Sequence, residues 1–350
     1  MYAAPTASAP PIPRGYGEKV SQRRRILLLL AAAVALVLVG AGLAAWSYAR
    51  SLESRVPRTD AFAGLHEERP QRVVPGALNV LLLGTDSRNP EDMLDGSRSD
   101  TLILVHVPAS HDAAYLVSIP RDTWVHVPAN PNGGTGDADA KINAALAWGG
   151  LPLAIRTVEE FTGVRIDHVA MIDFGGLVAV TDALGGVDMV VEQDTTSTFE
   201  GHRFWPRGTD HFDGASALEY IRQRKQFADG DFTRIRHQQG YLIAMLAKAA
   251  NIGMLTNPFA LRTFLETAAR AVVVDTGFAL VDTAIELRDL RAGQFTCLTS
   301  PSAGTGSVGD QSVVWSDPAQ ARPLYAAVAA DDVPGWLSTH PTRDCGQPPG

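Results

Sequence analysis

The chain has 350 residues, 45% of them hydrophobic and 19% charged, too apolar for a disordered protein and enough for one large globular domain with a terminal extension. Its formal charge of −8 is unevenly spread: the first fifty residues hold six basic and one acidic side chain, and the remainder, with 24 basic and 37 acidic, carries −13. An acidic domain has no electrostatic reason to bind DNA or RNA, so no nucleic-acid partner is expected and any basic cluster within it must serve a local anion. Cys297 and Cys345 are the two cysteines, and with no CxxC, no His/Cys ligand spacing and no HExxH a zinc site is not expected. Outside the cytoplasm the two could form a disulfide, with two free thiols as the equal alternative.

Residues 1–25 are Pro- and Ala-rich and too short to fold, and read as a cytoplasmic tail. No charge interrupts the run from Ile26 to Ala49, which at about 1.5 Å per residue crosses a hydrocarbon core of ~30 Å. Residues 26–49 therefore read as a transmembrane helix, the rival being a cleaved signal peptide with its shorter apolar region. Lys19, Arg23, Arg24 and Arg25 precede the span, and Trp46 and Tyr48 end it, so the N-terminus is expected in the cytoplasm and everything after Arg50 outside. The expectation is a single-pass protein of the cell membrane with an extracellular catalytic domain. Residues 50–76, with alternating charges and Pro57, Pro70 and Pro75, read as a stalk.

Beyond the stalk, residues 77–255 read as the core of the outer domain, 256–335 as its C-terminal part and 336–350 as a tail. Asn79–Gly84, Thr101–Val107 and Tyr115–Ile119 are short apolar runs bounded by turn signals, as buried strands should be. Helical patterns follow at Asp139–Trp148, Pro152–Thr162 and Leu177–Leu184, with strands at His168–Ile172 and Val187–Val191. Ala215–Arg222 and Phe232–Ala250 read as further helices, the second with Asp231 as its N-cap. The alternation predicts an α/β fold, a mixed-sheet α/β/α sandwich behind the transmembrane helix.

Two motifs do not carry the function they spell. Gly304, Gly306 and Gly309 satisfy GxGxxG, but a strand-like QSVVW follows where a dinucleotide fold needs a helix, so the segment reads as a loop. Asp173-Phe174-Gly175 spells the kinase DFG without the other kinase motifs.

The chemistry concentrates elsewhere. Asp86 follows NVLLLG and Asp100 precedes TLILVHV; if the two runs are antiparallel neighbours, both carboxylates face one cleft. Two hard anionic oxygens with phosphate oxygens and water suit Mg²⁺, whereas either aspartate alone reads as a turn residue. Arg88 and Arg98 flank the same loop, and Arg121 closes SIPRDT just past a strand. Arg222, Arg224, Arg234 and Arg236 gather within fifteen residues. Guanidinium forks suit a pyrophosphate, and a solvated helix face paired with Glu219, Asp229 and Asp231 is the even alternative. Arg234 and Gln238, four apart, share a helix face, while Ile235, Leu242 and Leu246 can face the core.

Read together, LLLGTDSR (81–88), RSDTLIL (98–104), SIPRDT (118–123), KINAAL (141–146), DFGGLVAVTDALGGVD (173–188), YIRQRK (220–225) and GDFTRIRHQQ (230–239) resemble the LytR-CpsA-Psr family in order. The resemblance implies an extracytoplasmic, Mg²⁺-dependent phosphotransferase of cell-wall assembly. Such an enzyme moves a glycopolymer from a polyprenyl pyrophosphate carrier in the lipid bilayer onto peptidoglycan, forming a phosphodiester link, and keeps the prenyl chain in an apolar tunnel. A polyprenyl pyrophosphate phosphatase and a non-enzymic envelope regulator are the alternatives. By motif position the resemblance makes Asp86 and Asp100 the metal ligands, and Arg88, Arg98, Arg121, Arg222, Arg224, Arg234 and Gln238 the pyrophosphate shell. Lys141 and Asn143 resemble further polar contacts, and Asp231 an acidic residue tied to the metal or the arginines. Asp86, Asp100, Arg121, Asp231 and Arg234 make up the expected catalytic set.

Overall fold

The computed structural model describes residues 46–65, 69–85, 99–250 and 257–340. The chain divides after Ser51 into two compact units. Of the first, the described residues 46–51 are helical, and the expected membrane span falls mostly on residues 26–45, outside the described residues. Among the described residues no helix is long and apolar enough to cross a membrane.

The second unit is built on a mixed sheet of seven strands among the described residues: β1 (Arg58–Thr59), β2 (Leu78–Thr85), β3 (Ser99–Val107), β4 (Ala114–Ile119), β5 (His168–Asp173), β6 (Val272–Asp275) and β7 (Phe295–Thr299), in the order β1-β6-β5-β2-β3-β4-β7. The first two apolar runs are antiparallel neighbours, the condition on which Asp86 and Asp100 are read together, with Leu81 opposite Leu104 and Gly84 opposite Thr101. β2 and β5 run parallel, as do β4 and β7. The C-terminal ends of β2, β4, β5 and β7 therefore share one edge of the sheet with the N-terminal end of β3.

Side chains alternate across the pleat, which gives the sheet two apolar faces. Leu81, Leu83, Leu102 and Leu104 join a core with Leu146, Leu153 and Val158 of α1 (Ala144–Thr162) and with Leu324, Tyr325 and Val328 of α7 (Pro318–Ala329). Helices α2 (Phe174–Ala183), α3 (Gly214–Ile221), α4 (Asp231–Ala249) and α5 (Pro258–Ala271) accompany the other face, where Leu177, Tyr220, Tyr241 and Ala271 form a second cluster. The short helices α6 (Leu280–Glu286) and α8 (Val333–Thr339) complete the unit. Gly176 explains part of the glycine-rich run after β5: a Cβ there would come within 2.9 Å of the Ala271 carbonyl oxygen, so α2 and α5 approach backbone to side chain.

Several expectations are corrected by the packing. Residues 50–76 are not a free stalk: Leu52, Val56 and Ala61 are buried, and β1 adds an edge strand. Arg69 also clamps the buried Glu159 carboxylate with contacts of 2.9 and 2.7 Å. The N-terminal part of the helix expected at Asp139–Trp148 is instead the strand Ala138–Lys141, paired antiparallel with Trp124–Val127. Helix α1 starts at Ala144 and kinks at Gly149 and Gly150, the second of which has φ +64°. Gly304 and Gly306 lie in a hairpin strand, Ser302–Val308, paired with Gln311–Ser316. Asp231 is the first residue of α4 and Gly230 its N-cap, which leaves the aspartate side chain free of capping. Leu246, expected in the core, is 44% exposed. Cys297 is disulfide-bonded; the chain's other cysteine, Cys345, lies outside the described residues.

Candidate functional site

The shared edge of the sheet is where the singled-out residues meet. The register between β2 and β3 shifts between Gly84 and Thr85, so that Thr85 faces Ser99 and Asp100 is the extra residue. Such a bulge bends the strand and re-aims its side chain, and here it is Asp100 that turns to the cleft. Arg121 stands two residues past the end of β4, and β5 passes directly into α2, whose N-cap Asp173 accepts a hydrogen bond from the Gly176 backbone N–H at 2.6 Å. The DFG tripeptide is thus a helix start at the edge of the cleft.

A cavity of about 280 Å³ opens there, with Asp100, Arg121, Arg222, Arg224, Arg234 and Gln238 all in its wall. Arg234 and Gln238 come from one face of α4, as their spacing predicts. Arg222 and Arg224 come from the segment after α3, where burial alternates: Ile221 and Gln223 point inward and the arginines outward. Lys225, Phe174, Thr198 and Phe199 complete the wall and were not singled out by sequence. Among the described residues of the wall, five cationic side chains thus face one carboxylate.

The charges are partly sunk. Arg121 is bonded to Asp100, and its Nε lies 3.8 Å from Asp122 Oδ2. Burial works against its charge, but Asp100, Asp122 and Asp231 outweigh it and raise the guanidinium above its ordinary value. Arg234, 6% exposed, is held below its ordinary value by burial; Asp231 opposes the shift, and the neighbouring charges of Arg121 and Arg224 add to it. An incoming anion would relieve that balance. Asp231 Oδ1 is 2.8 Å from Arg234 Nη2, an ion pair without hydrogen-bond alignment, and both Asp231 carboxylate oxygens are buried without a hydrogen-bond partner.

Hard, under-satisfied carboxylate oxygens such as those of Asp231 are the kind of donor that Mg²⁺ takes. Among the described residues no group of three or more His, Cys, Asp or Glu could hold a metal. Asp86, Arg88 and Arg98 lie in residues 86–98, outside the described residues.

Two expected contacts lie behind the wall. Lys141 Nζ pairs with Asp122 Oδ1 at 3.1 Å, and the backbone N–H of buried Asn143 donates to the Arg121 carbonyl oxygen at 3.2 Å, so both brace the Arg121 segment. Arg236 follows the structural alternative: Asp229 and Glu192 hold it at 2.7 and 3.6 Å.

A second pocket, about 220 Å³ and lined mainly by apolar side chains, continues from the first. Leu82, Ile103, Ala170 and Ile172 of the sheet and Leu177, Tyr241 and Leu242 of the helices line it, and it shares Phe174, Arg222 and Gln238 with the charged cavity. At that junction the Arg222 guanidinium carbon is 4.8 Å from the Phe174 ring centre and 5.0 Å from that of Phe199. The segment that carries Phe199 is held by Gln223, which is fully buried. Its Oε1 accepts from Thr198 N at 3.0 Å and its Nε2 donates to Ser197 Oγ at 3.1 Å.

Comparison with known proteins agrees with this architecture. The model of the LytR_cpsA_psr family matches residues 53–315. The cell wall biosynthesis protein LcpA of Corynebacterium glutamicum is 30% identical over 297 residues, covering 74% of this chain and 57% of LcpA, so the chain spans less than two thirds of that relative. The polyisoprenyl-teichoic acid–peptidoglycan teichoic acid transferase TagU of Bacillus mycoides is 31% identical over 244 residues, covering 67% of this chain and 75% of TagU. Among solved structures, B. subtilis TagV superposes with a TM-score of 0.61 at 25% identity, covering 74% of this chain and 98% of TagV. With three quarters of its length matched by the family model, the chain belongs to the LytR-CpsA-Psr family.

Proposed function

We propose that this protein transfers a glycopolymer from a polyprenyl pyrophosphate carrier to peptidoglycan, at the outer face of the cell membrane to which residues 26–49 anchor it. The observation that carries the reading is the shared wall: a charged cavity and an apolar pocket meet at Phe174, Arg222 and Gln238. A ligand filling both must join a polyanion to a hydrocarbon, as a prenyl pyrophosphate does. The names of the relatives LcpA and TagU point the same way.

In this reading the apolar pocket takes the carrier's first isoprene units, and the guanidinium forks of Arg121, Arg222, Arg224 and Arg234 hold the pyrophosphate oxygens bidentately. Asp86 and Asp100 would hold Mg²⁺, which supplies charge neutralisation on the phosphate oxygens, and Asp231 stays paired with Arg234 beside them. An acceptor hydroxyl forms a bond to the phosphorus next to the glycan and gives up its proton to solvent, the bond from that phosphorus to the bridging oxygen breaks, and its electron pair leaves with polyprenyl phosphate. Such a reaction needs alignment and charge stabilisation more than covalent help, and the arginines provide both. Confinement to the membrane keeps the enzyme where its lipid donor lies.

The test is to incubate the full chain in detergent micelles with lipid-linked glycan, with and without peptidoglycan. Attached polymer is expected only with acceptor present. Equal release of polymer in both, with none attached, would make the protein a phosphatase, and full in-cell function of an Asp100→Ala variant would favour the regulator.

A further inference from the structure

The glycine hairpin that no nucleotide motif explains is joined to the candidate site. Thr123 forms a parallel bridge with Val314, and the Val314 backbone N–H donates to the Asp122 carbonyl oxygen at 2.9 Å. Thr123 and Val314 are both buried, 1% and 3% exposed. Paired positions on parallel strands put their side chains on one face, so Trp124 and Trp315, the next residue on each strand, both turn to the opposite face. Trp315 is 39% exposed and Trp124 is half-buried. The indole of Trp315 lies over Gly306: a Cβ at that glycine would come within 2.3 Å of the indole Nε1, so the glycine leaves room for the ring to lie against the strand. Trp124 in turn pairs with Lys141, whose Nζ reaches Asp122, and Asp122 reaches Arg121 in the cavity wall.

We infer that Trp315 and Trp124 form a stacking platform for the glycan chain of the acceptor, leading to the cavity through Lys141, Asp122 and Arg121. This rests on the transfer reaction proposed above and adds a place for its second substrate. Two partly exposed indoles offer flat apolar faces to the C–H faces of sugar rings, and the Lys141–Asp122 pair at their edge offers both a donor and an acceptor to sugar hydroxyls. Continuity with Arg121 is what selects a glycan acceptor over an unrelated partner. A sugar on the platform reaches Arg121 through Asp122, while the lipid enters through the Arg222 junction.

The test uses the full chain in detergent micelles and reads binding apart from catalysis. Titration with soluble peptidoglycan fragments should give a saturable change in tryptophan fluorescence in the parent protein. Trp315→Ala should weaken binding about tenfold, Trp315→Tyr should restore most of it, and Gly306→Ala, which displaces the indole without changing it, should copy the alanine defect. Donor binding, followed with a prenyl pyrophosphate, should be unchanged in all three. Fragment binding at parental affinity in Trp315→Ala, or no binding to the parent, overturns the platform whatever the transfer assay gives. A failed transfer assay with intact, Trp315-dependent fragment binding overturns the reaction and keeps the platform. Where transfer occurs, Trp315→Ala should raise the acceptor KM about tenfold with kcat retained, and a fall in kcat alone overturns the assignment.

Discussion

Arg234 Nη2 stands 2.8 Å from Asp231 Oδ1, three residues earlier on the same helix, in a pair that is buried and yet leaves both carboxylate oxygens without a hydrogen bond. Removing one partner of such a pair strands the other charge, at a cost of about 3 kcal/mol. Asp231→Ala should therefore lower the melting temperature, and added inorganic pyrophosphate should raise it more in the variant than in the parent, because phosphate oxygens can serve as the missing counter-charge. Equal shifts in the two proteins, read by thermal unfolding, would place the phosphate away from Arg234.

Arg222 marks the junction of the two pockets, flanked by Phe174 and Phe199. Arg222→Lys keeps the charge but loses the planar stacking and the fork, so donor affinity should fall about fivefold to twentyfold, and Arg222→Ala should cost more. Isothermal titration with a short-chain prenyl pyrophosphate distinguishes this from a purely surface role, in which lysine would substitute without loss.

Gln223 contacts no cavity, yet it holds the segment that does. Replacing it with alanine leaves the Thr198 backbone N–H without its acceptor, which should destabilise the protein by about 2 kcal/mol and free Phe199. Hydrogen exchange should rise at Thr198 and Phe199, with donor affinity falling alongside. Protection at those amides equal to the parent's would show that the segment is held by other contacts.

His237 is stacked on Tyr220 with ring centres 4.5 Å apart, and burial pushes its imidazole down to about 3. The unfolded chain takes up a proton near the ordinary value of 6.5 that the folded protein refuses. Stability due to this group is therefore full above about pH 6.5 and falls by about 1.4 kcal/mol per unit as the pH drops toward 3. His106, lowered by burial against the pull of Asp331, acts in the same direction. His237→Phe should flatten the slope between pH 6 and 5, before depressed carboxylates such as Asp229 begin to titrate. Denaturant unfolding at both pH values reads it, and an unchanged slope would mean that water reaches the imidazole.

Much of the site was legible because its residues obey short-range rules. The strands β2 and β3 followed from two bounded apolar runs, and the shared face of Arg234 and Gln238 from helical spacing. Thr198 and Phe199 were not legible, since they sit in a polar excursion and reach the cavity only because Gln223, some twenty-five residues later, anchors them. The strand at Ala138–Lys141 was read as helix because its partner, Trp124–Val127, lies across an intervening loop, and Ala, Asp and Lys carry little local preference for a strand. The strand after the glycine pattern was legible, but its hairpin partner could not be seen without the Trp315 ring that explains Gly306.

The two faces of the central sheet have different occupations. Leu81, Leu83, Leu102 and Leu104 belong to a closed core with α1 and α7, while their strand neighbours Leu82 and Ile103 line a pocket. The residues that secure folding and those that would meet a ligand are thus interleaved along the same strands yet separated by the thickness of a peptide backbone. Substitutions at Leu82, Ile103 or Leu242 can reshape the cavity while the opposite core keeps the chain folded. A family built this way can drift in what it carries without first having to reinvent its scaffold.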